Sequence, residues 1–423
     1  MANSDLPLSL YLHVPLCTDK CLYCDFYSVP ARGVPAATQE RIVAQTVAQA
    51  KTFLQAAGAH TSVETIFIGG GTPSCLPIGL ARGLMRAFSD RAPNEWTVEA
   101  NPETLDRAFI ETCKEAGVTR LSVGIQTLQP AQLRLLRRRA TVADCMRALE
   151  LLERRWSGAL NLDFIAGLPG QTTEDVRSDL SILLGARPGH LSLYQLTVEP
   201  GTPLADLVER GEISLNGPEK DEQLWFAGQD ALISQGYEQY EVSNFCKAGK
   251  ECRHNLRYWS IEPYIGAGPA AVSTIPAAWA QRLPEVCADM PEDAHVVRIA
   301  NVKDIDEYLN PRAPFWGASV EYVSAKDFLF ETLMMGLRLS RGISLPRWEN
   351  RFGTPFATLF PGLWEDWLSK GWAMPATDRL RLSPEGMLLL DHLLSQVLDR
   401  LDSSQLDRLH LVWPSSEPLQ SVL

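Results

Sequence analysis

The first half of the chain alternates short strand patterns with longer helical patterns, and this alternation limits the fold more than any other feature. Runs rich in β-branched and aromatic residues predict strands, and apolar residues at helical spacing predict helices. The predicted strands are 8–14, 63–69, 96–101, 120–125, 160–167 and 190–197, and the helices between them are 40–58, 78–90, 105–117, 142–155 and 173–186. Such a series predicts an α/β fold whose parallel sheet is rolled by right-handed crossovers into a barrel or a partial (β/α)6 barrel.

The composition is that of an acidic globular protein. The 423 residues suffice for about two or three domains of roughly 150 residues each. A formal net charge of −12 argues against a general nucleic-acid binder, and we expect no nucleic-acid partner. The arginines at 134 and 137–139 form one local basic patch. A solvated helix face is the preferred interpretation of this patch, and nucleic-acid binding is the alternative.

The nine cysteines indicate the cellular compartment. Three stand together and six are scattered, which is too sparse for a disulfide scaffold and favours a reducing compartment. The N-terminal residues show neither a basic region nor a long apolar run of the kind found in signal peptides. No stretch approaches the roughly 18 apolar residues of a membrane span. We therefore expect a cytoplasmic protein without an integral membrane segment.

The pattern changes after residue 245, which predicts a division into domains. We expect the barrel in 1–245, a connecting segment in 246–315 where Pro, Gly and Ala are common, a mainly helical domain in 316–398 and a peripheral tail in 399–423. Residues 372–398 predict a short hairpin that leads into a helix, which makes the C-terminal domain winged-helix-like. Its acidic surroundings favour intramolecular packing over DNA binding.

Three cysteines lie directly after the first predicted strand. Cys17, Cys21 and Cys24 follow a C-x3-C-x2-C spacing, and residues 25 and 26 bring no further sulfur. Three thiolates can hold three irons of a four-iron cluster, whose complete ligation takes four cysteines. One iron would then keep an open position for a substrate or cofactor. The alternative is a zinc site completed by a distant His or Cys.

Further polar groups stand at the ends of the next predicted strands. GGGTPS (69–74) follows the second strand, Glu99 ends the third, Gln126 ends the fourth and Asp163 lies late in the fifth. Because parallel strands in a barrel all end at one mouth, these groups are expected to meet the cysteines there. Taken singly, the glycines predict a tight turn and the polar residues predict caps or loop contacts.

The stretch LYLHVPLCTDKCLYCDF (10–26) resembles the radical S-adenosylmethionine (SAM) superfamily. The resemblance implies a [4Fe-4S] cluster on the three cysteines, with SAM chelating the fourth iron and cleavage to a 5′-deoxyadenosyl radical after one-electron reduction. It also implies contacts to SAM from matching positions. These positions are Tyr11, Tyr23, Gly70, Gly71, Thr72, Glu99, Gln126, Arg138 and Asp163. For the two tyrosines, an aromatic core contact is an equally weighted interpretation.

A narrower resemblance extends over residues 8–395. The motifs LYLHVPLC, IFIGGGTPS, EANPETL, LSVGIQTLQ, DFIAGLPGQT, LYQLTVEPGTPL and YEQYEVSNF are together similar to the oxygen-independent coproporphyrinogen III oxidase-like family. In the oxidases a further cysteine stands two positions after the triplet, where this chain has Phe26. The haem-chaperone branch, of the HemW type, carries an HNxxYW motif, and residues 254–259 of this chain are HNLRYW. The chain therefore resembles the haem-chaperone branch.

The HNLRYW segment supplies the candidate haem residues, which are His254, Asn255, Tyr258 and Trp259. An imidazole nitrogen is a standard axial ligand of haem iron, and aromatic rings can line a porphyrin face. Cys252 is a second candidate iron ligand, and a nearby arginine could pair with a propionate. A purely structural histidine is the alternative interpretation. Two further histidines of the family pattern are replaced by Ala140 and Val272, so the resemblance does not extend to any role of those histidines in haem or substrate handling.

The resemblance implies a haem chaperone that binds haem and a SAM-coordinated cluster and delivers haem to membrane respiratory haemoproteins. An electron donor such as flavodoxin or ferredoxin would serve the cluster. One alternative is a radical SAM enzyme that oxidatively decarboxylates coproporphyrinogen III, and Phe26 and HNLRYW argue against it. A cluster- or zinc-stabilised binding protein without radical chemistry is the second alternative, and the glycine loop and polar strand ends argue against that one.

Overall fold

The computed structural model describes residues 6–58, 61–283, 285–286, 289–291, 294–313, 315–401, 409, 411 and 413. Its strands are β1 (Leu8–Val14), β2 (Leu16–Cys17), β3 (Val29–Pro30), β4 (Val63–Gly70), β5 (Glu95–Ala100), β6 (Arg120–Gln126), β7 (Ala159–Ala166), β8 (His190–Gln195), β9 (Glu238–Gln239), β10 (Asn244–Cys246), β11 (Tyr264–Ala267), β12 (Val272–Pro276), β13 (Val296–Ala300), β14 (Ser319–Val323), β15 (Ile343–Ser344), β16 (Ala373–Met374) and β17 (Arg379–Leu382).

The α-helices are α1 (Ala36–Ala57), α2 (Ile78–Arg86), α3 (Arg107–Ala116), α4 (Pro130–Leu135), α5 (Val142–Arg155), α6 (Thr173–Gly185), α7 (Pro203–Glu209), α8 (Pro218–Ser234), α9 (Arg253–Trp259), α10 (Ala277–Ala280), α11 (Ile305–Leu309), α12 (Ala325–Gly336), α13 (Leu345–Phe352), α14 (Phe356–Leu359), α15 (Leu363–Ser369), α16 (Pro384–Leu388) and α17 (Leu390–Arg400). Short 3-10 turns lie at Ala31–Gly33, Pro73–Cys75, Ser89–Arg91 and Phe315–Gly317. No helix among the described residues has the length and apolar character needed to cross a membrane.

One large sheet organises the molecule, with strand order β14-β13-β12-β11-β1-β4-β5-β6-β7-β8-β10-β9. Every pair from β11 to β8 is parallel, and the outer strands add antiparallel pairs at both edges. The predicted α/β fold with its six parallel strands is confirmed. Within the described residues β14 and β9 remain the two edges, so the barrel is partial.

The segment 246–315 contributes more than a connection. It carries β11, which pairs in parallel with β1, and β12 and β13, which extend the sheet beyond it. Its strands have only four or five residues each, and such short runs leave no clear period in the sequence. The sheet thus continues past residue 245, and the domain division stays a prediction.

Apolar and polar side chains alternate along the parallel strands, so that the apolar ones lie in the core and the polar ones line the barrel interior. On β7, Leu160, Leu162 and Phe164 are buried in the main apolar cluster, whereas Asn161 and Asp163 face an interior cavity. Successive side chains of a strand point to opposite faces, so one face packs under the helices and the other lines the lumen. The lumen is therefore built mainly from polar side chains.

The C-terminal part combines helices α12 to α17 with a three-stranded antiparallel sheet in the order β15-β17-β16. The predicted hairpin and helix at 372–398 are confirmed as β16, β17, α16 and α17. Glu262 at the end of the α9 region accepts from Arg347 and Arg351 on α13, which ties this part to the barrel. The predicted tail at 399–423 lies almost wholly outside the described residues.

Candidate functional site

The three clustered cysteines lie at the carboxyl mouth of the barrel. Cys17 ends β2, which pairs with β3, and the loop beyond it is held by backbone hydrogen bonds from Leu22 N to Leu136 O (3.1 Å) and from Leu204 N to Leu22 O (3.0 Å). All three sulfur-bearing residues line one cavity of about 410 Å³. Burial raises the pKa of Cys17 and raises the pKa of Cys24 to about 11. A bound cation would offset this cost of ionising the thiols, as it does for coordinated thiols.

The glycine loop lies against the cysteine loop, because two of its backbone amides donate hydrogen bonds to main-chain carbonyls of β1 and β2. Gly71 N donates to Val14 O at 2.8 Å, and Thr72 N donates to Leu16 O at 2.7 Å. Gly70 has a φ of +93°, and a Cβ on Gly71 would lie 2.5 Å from each of those two main-chain oxygens. Backbone contact this close requires glycine. The sequence GGG therefore serves to bring β4 and the first cysteine together.

Two carboxyl groups, from β5 and from β7 on the two sides of β6, project into the same cavity. Burial raises the pKa of Glu99 to about 8, the Asp163 charge adds to this, and the Gly70 amide, 3.1 Å from Glu99 Oε2, acts in the opposite direction. Burial also raises the pKa of Asp163 to about 6, while hydrogen bonds from Ser192 and Asn161 oppose the rise. Buried carboxyls of raised pKa are suited to receive a cationic group such as an ammonium.

Gln126 reaches the cavity through an irregularity in β6. The β6–β7 register shifts between Gly124, which pairs with Asp163, and Gln126, which pairs with Phe164. Gln126 itself has a φ of +70°, in the left-handed region that few residues other than glycine adopt. A bulge of this kind redirects a side chain and is common beside active sites. The side chain of Gln126 consequently lines the cysteine cavity.

Arg138 is a cation in contact with one of the cysteines. Its Nη1 lies 3.6 Å from Cys21 Sγ, and its Nη2 donates to Asn101 Oδ1 at 3.3 Å and to Gly124 O. A guanidinium here balances the negative charge that three thiolates would bring. Sequence reasoning missed Asn101, which lines the cavity between the glycine loop and Arg138. Its position two residues after Glu99, just beyond the end of β5, was the signal that could have found it.

The structure brings together nearly all of the predicted cluster and SAM residues. The residues that line the cysteine cavity are Cys17, Cys21, Cys24, Tyr23, Gly70, Gly71, Thr72, Glu99, Gln126, Arg138 and Asp163. Tyr11 is the exception, because it lines the adjoining lumen and its hydroxyl contacts His13 Nδ1 at 2.9 Å. Sequence reasoning also missed Tyr194, which lines both cavities. The arrangement gives sulfur ligands, a cation, backbone amides and carboxyls around one space, a donor set that fits a cluster with a bound amino acid.

The lumen beneath this mouth is a second cavity of about 490 Å³, and the two cavities share Gly70, Glu99 and Asp163 in their walls. The lumen also receives polar side chains that alternate along β5 to β8. These are Thr97, Glu99, Arg120, Ser122, Asn161, Asp163, His190, Ser192 and Tyr194. This continuous polar face was not predicted from the sequence, although polar residues do stand at every second position in these strand segments of the sequence.

The HNLRYW segment forms α9, which lies across the N-terminal ends of the strands. Glu95, the first residue of β5, accepts from the amides of Arg253 (3.2 Å) and His254 (3.0 Å) and forms an ion pair with Arg120 at 3.0 Å. The Glu95 carboxylate thus satisfies amides at the start of α9 that have no partner within the helix. Of the candidate haem residues, His254, Asn255 and Tyr258 line the lumen and Trp259 does not.

His254 is buried, and both of its ring nitrogens have partners. Nδ1 lies 2.8 Å from Thr65 Oγ1, and Nε2 lies 3.1 Å from the hydroxyl of Tyr258. Because Thr65 donates to Ser9 Oγ at 2.8 Å, the Nδ1 proton is assigned to His254, and Nε2 accepts from Tyr258. Burial lowers the pKa of His254 to about 3, with the Arg257 charge acting in the same direction. The ring is therefore neutral, with its lone pair directed at Tyr258.

Comparison with known proteins places these features in a family. The profile of the Radical SAM superfamily matches residues 11–183, and that of the HemN C-terminal domain matches residues 323–389. The heme chaperone HemW of Synechocystis sp. is 33% identical over 344 residues, which cover 80% of each chain. HemW of Bacillus subtilis is 30% identical over 408 residues, covering 93% of this chain and 100% of the relative.

A mitochondrial relative and one solved structure are also similar to this chain over most of its length. The mitochondrial radical S-adenosyl methionine domain-containing protein 1 of Mus musculus is 31% identical over 407 residues, covering 94% of this chain and 88% of the relative. The structure of coproporphyrinogen III oxidase (HemN) from Escherichia coli superposes with a TM-score of 0.72 at 19% identity, covering 94% of this chain and 91% of that one. The similarity to the oxidase structure shows that this chain has the same fold. From these matches, the chain belongs to the radical SAM superfamily and, within it, to the family of the HemW-type proteins.

Proposed function

We propose that this chain is a haem chaperone, which binds haem together with a SAM-coordinated [4Fe-4S] cluster and transfers the haem to acceptor haemoproteins. The observation that carries the proposal is the similarity to relatives named heme chaperone HemW over 80% and 93% of the chain. Phe26 supports it, because its side chain occupies the cavity wall where the related oxidases carry a further cysteine. Membrane respiratory haemoproteins are the proposed acceptors, and a flavodoxin or ferredoxin is the proposed electron donor.

Membership of the superfamily implies the cluster and SAM as cofactors. Cys17, Cys21 and Cys24 would hold the cluster, and a bound cluster with SAM supplies one-electron chemistry. The chain's own residues then have separate tasks. Glu99 would bind the ammonium of SAM, since a cation at this carboxyl removes the cost of its ionisation. Gln126 and Asp163 would hold hydroxyl or carboxylate groups of the cofactor by hydrogen bonds.

The lumen is the proposed haem site, since it adjoins the cysteine cavity and contains His254, Asn255 and Tyr258. Neutral imidazole is the form that ligates haem iron, and burial keeps His254 neutral. Its Nε2 accepts from the Tyr258 hydroxyl in this structure, so iron would have to displace that hydroxyl. Trp259 lies outside the lumen and would act by holding α9 in place.

An anaerobic reconstitution tests the proposal. The wild-type protein, His254→Ala and the surface control His392→Ala would receive iron and sulfide, and then haem, SAM or coproporphyrinogen III separately. We expect a cluster absorbance in all three and stable haem binding in the wild type and His392→Ala. Haem affinity should fall at least tenfold in His254→Ala. Transfer would be measured by mixing haem-loaded protein with vesicles that contain an apo-form respiratory haemoprotein.

Each of the other possible results would refute a different part of the proposal. Formation of protoporphyrinogen from coproporphyrinogen III would replace the chaperone by the oxidase. One equivalent of zinc with no cluster absorbance would overturn both radical SAM functions. Wild-type protein that binds no haem would remove the chaperone proposal, and unchanged affinity in His254→Ala would remove this residue from the haem site.

A further inference from the structure

Asn101 lies directly beyond the end of β5, between two side chains that each contact a cysteine sulfur. On one side, its Nδ2 donates to Thr72 Oγ1 at 3.0 Å, and the Thr72 hydroxyl donates to Cys17 Sγ at 3.5 Å. On the other side, its Oδ1 accepts from Arg138 Nη2 at 3.3 Å, and Arg138 Nη1 lies 3.6 Å from Cys21 Sγ. A continuous chain of hydrogen bonds therefore joins two of the three cysteines through one amide.

The direction of every bond in this chain is fixed by chemistry. Arg138 can only donate, so it faces the carbonyl oxygen of the Asn101 amide, and the NH2 group must face Thr72. The hydroxyl of Thr72 has a single proton. Its oxygen accepts from Asn101, and its proton is donated to Cys17 Sγ, which as a cluster-bound thiolate could only accept. Glu103 Oε1, 3.5 Å from Asn101 Nδ2, favours the same orientation of the amide.

The backbone of Asn101 is held as firmly as its side chain. Its N–H donates to Ser74 Oγ at 3.2 Å, and its carbonyl accepts from the amides of Thr104 (3.1 Å) and Leu105 (3.0 Å). Ser74 belongs to the glycine loop, which also contains Thr72. The amide is consequently placed by contacts that are independent of the cysteines.

We infer that Asn101 is a positioning residue that directs the Thr72 hydroxyl and the Arg138 guanidinium at Cys17 and Cys21, and so raises the reduction potential of the cluster. This inference rests on the cluster site of the proposed function and is independent of haem transfer. Hydrogen bonds to the sulfurs are among the factors that set the potential of iron–sulfur clusters. Reduction adds a negative charge, and donors to sulfur stabilise the reduced form more than the oxidised form. Residues that orient direct ligands and their donors commonly tune a metal site in this way.

The test is a redox titration of the reconstituted cluster with dithionite as the one-electron reductant, followed by EPR of the reduced state and carried out without SAM. The variants are Asn101→Leu, which removes both amide bonds at similar volume, Thr72→Val, which removes the hydroxyl, and Thr72→Ser, which keeps it. Asn94→Leu is the matched control, because the exposed Asn94 precedes the other end of β5 and its side-chain amide donates to the half-buried Glu64, far from the cysteines along β5.

We expect Thr72→Val and Asn101→Leu to lower the equilibrium constant for reduction by about tenfold, which is about 59 mV for one electron. Thr72→Ser and Asn94→Leu should keep the wild-type potential. The double variant Asn101→Leu/Thr72→Val should shift the potential by less than the sum of the two single shifts, because both act on Cys17.

The other outcomes are equally distinct. Wild-type potentials in fully loaded Asn101→Leu and Thr72→Val would overturn the inference, as would a shift in Thr72→Ser equal to that in Thr72→Val. If Asn101→Leu loses only iron content and its remaining clusters titrate like the wild type, its role is structural and the inference is wrong. A wild-type protein that forms no cluster would instead refute the cofactor site of the proposed function.

Discussion

At the scale of single residues, the glycine loop shows how strictly one position can be defined by its neighbours. The Gly71 amide donates to the Val14 carbonyl at 2.8 Å, and the Thr72 amide donates to the Leu16 carbonyl at 2.7 Å. The first cysteine follows Leu16 directly. Any side chain at 71 must therefore push apart the two segments that carry the cluster ligands and the SAM residues.

Gly71→Ala should lower the free energy of unfolding by about 1–3 kcal/mol, the usual cost of overpacking a closed site. It should also weaken SAM binding more than it weakens the fold, because the clash lies between β1, β2 and the glycine loop. Denaturant unfolding and equilibrium dialysis with SAM are the measurements. Gly79→Ala on α2 is the control, since a Cβ there meets no atom within 4 Å and helix propensity favours alanine. Equal effects of the two changes would contradict this prediction.

The raised pKa of Glu99 makes the stability of the protein depend on pH. With a folded pKa of about 8 against an ordinary value of 4.5, the folded chain holds a proton that the unfolded chain releases between those values. The contribution of Glu99 to stability should therefore be lost as pH rises from about 4.5 to about 8. Asp163 acts in the same direction up to about pH 6, whereas the buried His13, His190 and His254, whose pKa values burial lowers, act in the opposite direction near their ordinary pKa of 6.5. The difference in stability between wild type and Glu99→Gln removes these shared contributions. In the cofactor-free protein this difference should shift against the wild type as pH rises from 6 to 8, and a difference that does not change with pH would contradict the assignment.

At the scale of elements, α9 closes the barrel at the end opposite the cysteines. Its first amides and Cys252 Sγ are all directed to the Glu95 carboxylate, which also pairs with the buried Arg120. One carboxylate at the start of β5 therefore fixes the whole HNLRYW segment. The position of His254 in the lumen follows from this anchor and from the Thr65 contact.

Glu95→Gln should lower the free energy of unfolding by about 3–5 kcal/mol, because it leaves Arg120 buried without a counter-charge. Chemical denaturation measures the loss. The control is Glu321→Gln, because Glu321 is exposed and its half-buried partner Arg298 keeps a second contact to Glu331, and its effect should stay below about 1 kcal/mol. A loss in Glu95→Gln no larger than in the control would show that the carboxylate does not anchor α9.

At the scale of the whole molecule, the C-terminal part packs against the barrel through a buried charge cluster. Glu262, which follows α9, accepts from Arg347 and from Arg351, the latter at 3.2 Å, and Arg351 also donates to the carbonyls of Ser260 and Ile261. The end of α9 is thereby coupled to α13. The base of the lumen and the C-terminal part should respond together when this cluster is disturbed.

Glu262→Gln should separate the unfolding of the C-terminal part from that of the barrel, because two arginines lose their buried partner. We expect a biphasic unfolding curve in place of one cooperative transition, with early protease cleavage near residues 310–325. Asp366→Asn is the control, since it removes only an exposed i,i+4 pair with Lys370 inside the C-terminal part. A single transition with unchanged proteolysis would indicate that apolar packing alone joins the two parts.

The sequence by itself determined the six parallel strands, the cysteine triplet and the strand-end positions of Glu99, Gln126 and Asp163, because strand periodicity and the parallel arrangement place these residues at one mouth. Tertiary structure decided what depends on contacts between distant segments. Asn101 acquires its role from Thr72 and Arg138, 29 and 37 residues away, and His254 meets Thr65 at a separation of 189 residues. The short strands of 246–315 and the bulge at Gln126 were likewise invisible in the sequence, since neighbouring strands impose them and local propensity does not.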